Sequence, residues 1–149
     1  MLDLKALLTK MCNLLSLTND WVQMTVPSGT TGNNTITKFT NLSIVGKRGK
    51  HFTTQSNQVT IIQHGLYIID IQFRLNAVTT QGNVKRVSVY KNGSEWIAAM
   101  ERVNSWEDVS VSYIRECQAG DILTAYRRFE DGNSTISYAT IRIRPLEDY

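Results

Sequence analysis

Two periodicities divide the chain. Over residues 1–19, Leu4, Leu8, Met11 and Leu15 recur at spacings of four, three and four, with Leu7 and Leu14 beside them, so a helix there carries a broad apolar stripe. From Trp21 onward, apolar and polar residues alternate in short runs, the period of strands with one buried face. These runs fall at 21–26, 39–45, 59–62, 66–76, 85–90, 96–100, 109–116, 122–128 and 136–144, about nine strands with turn signals between them. Short strands at regular spacing, with almost no helix signal among them, predict an all-β antiparallel sandwich or barrel. The clearest hairpin lies in 87–96, where Asn92-Gly93 suits a type I′ turn.

The helix stripe must be buried, because an isolated helix of this length is marginal in water. Copies of itself, a partner protein and its own domain are all open as the cover. Residues 27–35 (Pro-Ser-Gly-Thr-Thr-Gly-Asn-Asn-Thr) read as a flexible loop or linker. The expected organisation is therefore an amphipathic helix at 1–19, a linker with a candidate first strand at 20–35, and the β-domain at 36–149.

Composition sharpens this division. Ile, Val and Thr number 13, 11 and 16, a β-branched bias, yet the first twenty positions hold 7 of the 12 Leu and no Ile or Val. The net charge of +3 comes from 16 basic and 13 acidic residues scattered through the chain, so no nucleic-acid surface is expected. No stretch is long and apolar enough to insert in a membrane, and the opening residues, broken by Asp3, Lys5 and Lys10, do not read as a secretory signal. Cys12 and Cys117 lie far apart and read as small buried hydrophobes, which leaves no disulfide framework and no cysteine-based metal site.

Catalytic signatures are missing. His51 and His64 stand apart from any Gly-x-Ser-x-Gly, His-Glu-x-x-His or phosphate-binding glycine-rich motif, so a non-enzymatic protein without cofactor or metal is expected. His64, ahead of Gly65 at a turn, suits a hydrogen-bonding role. Two aromatic and charged segments are candidate ligand loops on a rigid sandwich: Trp106, Glu107 and Asp108 in one, and Arg127, Arg128, Glu130 and Asp131 in the other.

Three segments in order resemble the jelly-roll family of tumour necrosis factor and the globular heads of complement-type collagens. They are Gly65-Leu-Tyr-Ile-Ile-Asp-Ile-Gln-Phe73, Val87-Ser-Val-Tyr-Lys-Asn-Gly93 and Ala119-Gly-Asp-Ile-Leu123. Two positions depart from the family pattern: Ile69 stands where a Phe is usual, and Tyr138-Ala-Thr-Ile replaces a glycine in the last strand. The resemblance implies a jelly-roll β-sandwich that forms a homotrimer through its inner sheet. With the Leu-rich opening, the chain is also similar to small structural proteins of tailed bacteriophages and prophages. That similarity implies a virion protein, made in the host cytoplasm, whose helix meets other virion proteins and whose head adsorbs to a host surface glycan or protein.

Alternation places Tyr67, Ile69, Ile71 and Phe73 on one strand face and Ile68, Asp70, Gln72 and Arg74 on the other, while Thr140, Arg142 and Arg144 share the outward face of the last strand. Those seven outward residues are the expected trimer interface, with Asp70 paired to Arg142 or Arg144 within or across subunits. Leu4, Leu8, Met11 and Leu15 are the expected helix-association residues. A cellular ligand- or carbohydrate-binding jelly roll is the rival reading.

Overall fold

The computed structural model describes residues 3–18, 20–77, 83–102, 108–130 and 134–146, with side chains in the helix as far as Met11. Helix α1 (Leu4–Thr18) starts at Asp3, whose carboxylate accepts the Ala6 N–H at 3.2 Å as an N-cap. Eleven strands follow among the described residues: β1 (Trp21–Val26), β2 (Thr37–Lys38), β3 (Ser43–Lys47), β4 (Phe52–Gln55), β5 (Gln58–Ile61), β6 (Gly65–Ala77), β7 (Val84–Lys91), β8 (Ser94–Arg102), β9 (Asp108–Cys117), β10 (Ile122–Phe129) and β11 (Thr135–Pro145). They form two antiparallel sheets, one ordered β3-β1-β11-β6-β9 and the other β4-β5-β10-β7-β8, with β2 added beside β10. The architecture is a jelly-roll sandwich with a short N-terminal helix.

The core follows from the alternation. Tyr67, Ile69, Ile71, Phe73 and Leu75 of β6 and Ile141 and Ile143 of β11 are buried against Val87 and Val89 of β7 and Leu123 and Ala125 of β10. At one end of the sandwich the three family-like segments meet. Asn92 and Gly93 both take positive φ in the expected hairpin, and Asn92 binds the Asp121 carboxylate at 2.9 Å and the Ile122 N–H at 2.9 Å. Gly65 pairs with Cys117, while the Tyr67 hydroxyl donates to the Gln63 carbonyl at 2.6 Å.

Three expectations need correction. The candidate first strand of 20–35 forms as β1, but the segment is not a linker, because β1 is an interior strand between β3 and β11 and buries Val22, Met24 and Val26; the head begins at Asp20. Nor is 27–35 loose. Gly32 N–H donates to Ser134 O at 2.8 Å, Phe129 N–H to Asn33 O at 2.7 Å, and Thr31 bridges Thr135. The run at 39–45 is broken into a buried Phe39 and β3, since the Asn57 side chain takes over the Thr40 carbonyl and the Leu42 N–H at 3.1 and 2.9 Å.

Asp20 also anchors the start of the head. It is buried, accepts the Lys50 N–H at 3.0 Å and lies 2.6 Å from His51 Nδ1. Gly49 has φ +51° and no room for a Cβ, which would sit about 2.0 Å from the Asp20 carboxylate. Only glycine meets both demands.

Cys117 is fully buried, and burial, with the Asp121 carboxylate second, pushes its thiol from about 9 up to about 12. In a Cys12→Ser variant the remaining thiol is expected to resist a disulfide reagent until the chain unfolds. The sign for stability follows: the native state keeps a proton that the unfolded chain loses above about pH 9, so stability falls as pH rises from 9 towards 12. Tyr67, raised mainly by burial, acts in the same direction at higher pH. Flat stability over that range, measured by urea titration, would contradict the burial of both groups.

Candidate functional site

The outward face of the β3-β1-β11-β6-β9 sheet collects residues of five strands in register. One row runs Val45, Gln23, Arg142, Asp70, Ser112; the next runs Thr25, Thr140, Gln72, Ser110. Towards one end Arg144, Ile68 and Ile114 form a third row, and at the other Tyr138, Arg74 and Asp108 form a fourth. The seven residues expected at a trimer interface therefore lie side by side on adjacent strands. A depression of about 250 Å³ opens among Gln23, Asp70, Gln72, Thr140 and Arg142.

Of the two expected pairings of Asp70, the one within the chain is not made among the described residues. Arg142 stands opposite Asp70 in the ladder, but its guanidinium lies over the Trp21 ring at 4.5 Å, and Asp70 accepts the Ser112 hydroxyl at 2.5 Å. Among the described residues Asp70 makes no ion pair within the chain. Stacking on an indole keeps a guanidinium well hydrated on its other side, so the cation does not need the carboxylate in an open face. Apolar groups share the surface: Ile114 is 53% exposed, and Leu66 and Val45 are also open, an unusual load for a solvent face.

The ligand-loop residues separate. Asp108 belongs to the face just described: it accepts the Tyr138 hydroxyl at 2.7 Å, which raises the pKa of that phenol, and stands 3.9 Å from Arg74 Nε. Arg127 and Arg128 lie in β10, not in a loop, and hold the 31–38 segment. Arg127 donates to Thr31 O at 2.9 Å and Lys38 O at 3.3 Å and covers the Phe39 ring, while Arg128 donates to Asn34 O at 3.1 Å. The Glu130 carboxylate accepts the Val84 N–H at 3.0 Å. These residues act within the fold. Trp106, Glu107 and Asp131 lie outside the described residues, as does the side chain of Leu15.

On α1 the described part of the stripe is uncovered: Leu4, Leu8 and Met11 are 65, 58 and 49% exposed. The two histidines pair with carboxylates, His51 with buried Asp20 and His64 with exposed Glu116 at 2.5 Å, the latter contact drawing the pKa of Glu116 down. Among the described residues no group of three or more His, Cys, Asp or Glu is placed to hold a metal ion, and no helix is long and apolar enough to cross a membrane.

No protein-family model matches the chain, and no curated protein sequence is significantly similar. Solved structures are. The vertex protein P5 of PRD1 superposes with a TM-score of 0.68 at 18% identity, covering 87% of this chain and 99% of that one. Murine APRIL gives 0.63 at 16% identity over 85% and 98% of the two chains. The globular domain of the zebrafish complement 1qA protein gives 0.61 at 8% identity over 87% and 99%. At such identities the likeness is one of fold: a jelly roll similar to those of the tumour necrosis factor and complement type.

Proposed function

We propose that this chain is a non-enzymatic virion structural protein of a bacteriophage or prophage: a homotrimer of jelly-roll heads, joined to other virion proteins by α1 and attaching to a host surface glycan or protein. The observation that carries the assembly role is a pair of uncovered surfaces on one chain. The outward sheet face combines Ile68, Leu66 and Ile114 with Asp70, Arg142 and Arg144, and the helix leaves Leu4, Leu8 and Met11 in water. Both need a cover that the described residues do not supply. The likeness to a vertex protein favours a particle as the setting. Three copies on one rigid head would turn weak single contacts into firm attachment through effective concentration.

Sedimentation of the full chain and of a chain starting at Asp20 tests the division of labour. The head alone is expected to remain trimeric, while Leu8→Asp or Met11→Asp in the full chain removes any higher assembly or partner capture and leaves the head's melting temperature within about 2 °C, as expected of exposed sites. Equal damage to assembly and melting would place the stripe on the chain's own sandwich. Mass spectrometry of purified particles tests the setting, since a virion protein must be present in them.

A further inference from the structure

The edge of the sandwich where β8 lies near β9 carries a groove of about 340 Å³ that the assembly surfaces do not use. Its lining includes Arg86, Glu95, Trp96, Met100, Tyr113 and Arg115. The ladder between β7 and β8 shifts between Val89 and Tyr90, so Tyr90 faces Glu95, Val89 faces Ile97, and Trp96 is the extra residue. A bulge of this kind re-aims a side chain, here an indole into the groove. Tyr113 is fixed against β8 by its hydroxyl, which donates to Ala98 O at 2.6 Å.

Two guanidiniums line the groove against one carboxylate, Glu95, and a lysine lies over the indole. The Arg115 guanidinium lies 4.9 Å from the Tyr113 ring centre, the Lys91 ammonium 4.8 Å from that of Trp96, and Arg86 pairs with Glu95 at 2.6 Å. That contact leaves Arg86 half satisfied, for its Nε–H is buried and has no hydrogen-bond partner among the described residues. A buried donor without a partner is rare in a native fold and points to a group that is still to arrive. A guanidinium presents two parallel N–H bonds to a carboxylate, and a small swing of Arg86 would bring Nε into such a pair.

We infer that this groove binds a carboxylate-bearing sugar, the acid held by Arg86 and Arg115 and the apolar face of the pyranose ring laid on Trp96. The volume is at the lower end for small-molecule sites and suits one ring. A neutral sugar leaves the Arg86 Nε–H and the Arg115 charge unanswered, and a bare carboxylate makes no use of the indole. The site stands on the groove alone, and it gives the attachment role proposed above a chemical target.

The test is a titration of the full chain, labelled at its methionine methyls, with glucuronate, glucose and acetate at constant ionic strength. Glucuronate is expected to shift the Met100 methyl saturably, with a Kd of roughly 1–10 mM for one ring, while buried Met24 stays put. Glucose and acetate should each bind about tenfold more weakly or worse. Arg115→Gln, an exposed change on β9, should weaken glucuronate about tenfold, and Arg86→Lys should do the same by keeping charge but losing the fork. Equal responses to glucuronate and acetate, no saturable shift at Met100, or an unchanged affinity in Arg115→Gln would each overturn the assignment. Sedimentation of the same samples reports assembly separately, so a failure of binding is not confused with a failure to trimerise.

Discussion

A chain beginning at Thr35 will not unfold cooperatively, whereas one beginning at Asp20 will keep the melting transition of the whole head. β1 is held by ladders on both sides, Val22–Val26 against Ile143–Ala139 and Trp21–Thr25 against Lys47–Ser43. Its removal takes Val22, Met24 and Val26 out of the core, and large-to-small changes at such sites cost about 2–5 kcal/mol each. The loss of all three rivals the roughly 5–15 kcal/mol that holds a domain of this size together. It also turns β11 into an edge and cuts β3 from its sheet. Asp20 must stay, because its loss would leave His51 buried without its carboxylate. Circular dichroism during heating decides the matter: a sigmoidal transition in the chain from Thr35 would restore the boundary that the linker-like composition of 27–35 suggests.

That boundary shows where local pattern and tertiary structure part. The long strands β6, β7, β9, β10 and β11 were legible because each holds a strand-like run of six or more residues, and the turn at Asn92-Gly93 because its backbone demands those residue types. β4 was not expected, since Phe52-Thr-Thr-Gln55 has one apolar residue and its place is set by pairing with β5. The Ser/Thr/Gly/Asn stretch looked loose because its order comes from Arg127 and Arg128, almost a hundred positions away. Those arginines looked like ligands for the same reason: an exposed cation and one spent on carbonyls read alike in sequence. The outward face was legible in its residues, since alternation alone puts Asp70 and Arg142 on it, but Trp21, which draws Arg142 aside, lies on a strand whose place beside β11 only the fold reveals. The groove beside β8 had one signal, the indole of Trp96 next to a hairpin, and nothing local to say that Tyr113 and Arg115 would face it.

Asp70→Ala is expected to dissociate the trimer, and so is Ile68→Asp, while Thr53→Ala on β4 of the opposite sheet leaves it intact. Among the described residues of the single chain Asp70 meets only the Ser112 hydroxyl, and Arg142 and Arg144 are exposed. Burying that face about a threefold axis would take two guanidiniums per protomer out of water, where a charge needs a partner. Asp70 is the acid within this row, so cutting it back would strand a cation in the interface at a cost of roughly 3–5 kcal/mol. At about 1.4 kcal/mol per decade, that is two to four decades in Kd, enough to turn a nanomolar assembly into a micromolar one. Ile68→Asp reaches the same end by placing a carboxylate where the face offers Ile114. Neither change touches the core, since Ile69 and Ile71 carry the buried side of the strand, so the freed protomers should melt near the parent temperature. Sedimentation over a concentration series, with melting curves beside it, separates these effects. A parent protein that is monomeric at micromolar concentration, or an Asp70→Ala trimer as firm as the parent, would show that the charges of this face serve water and not a second copy.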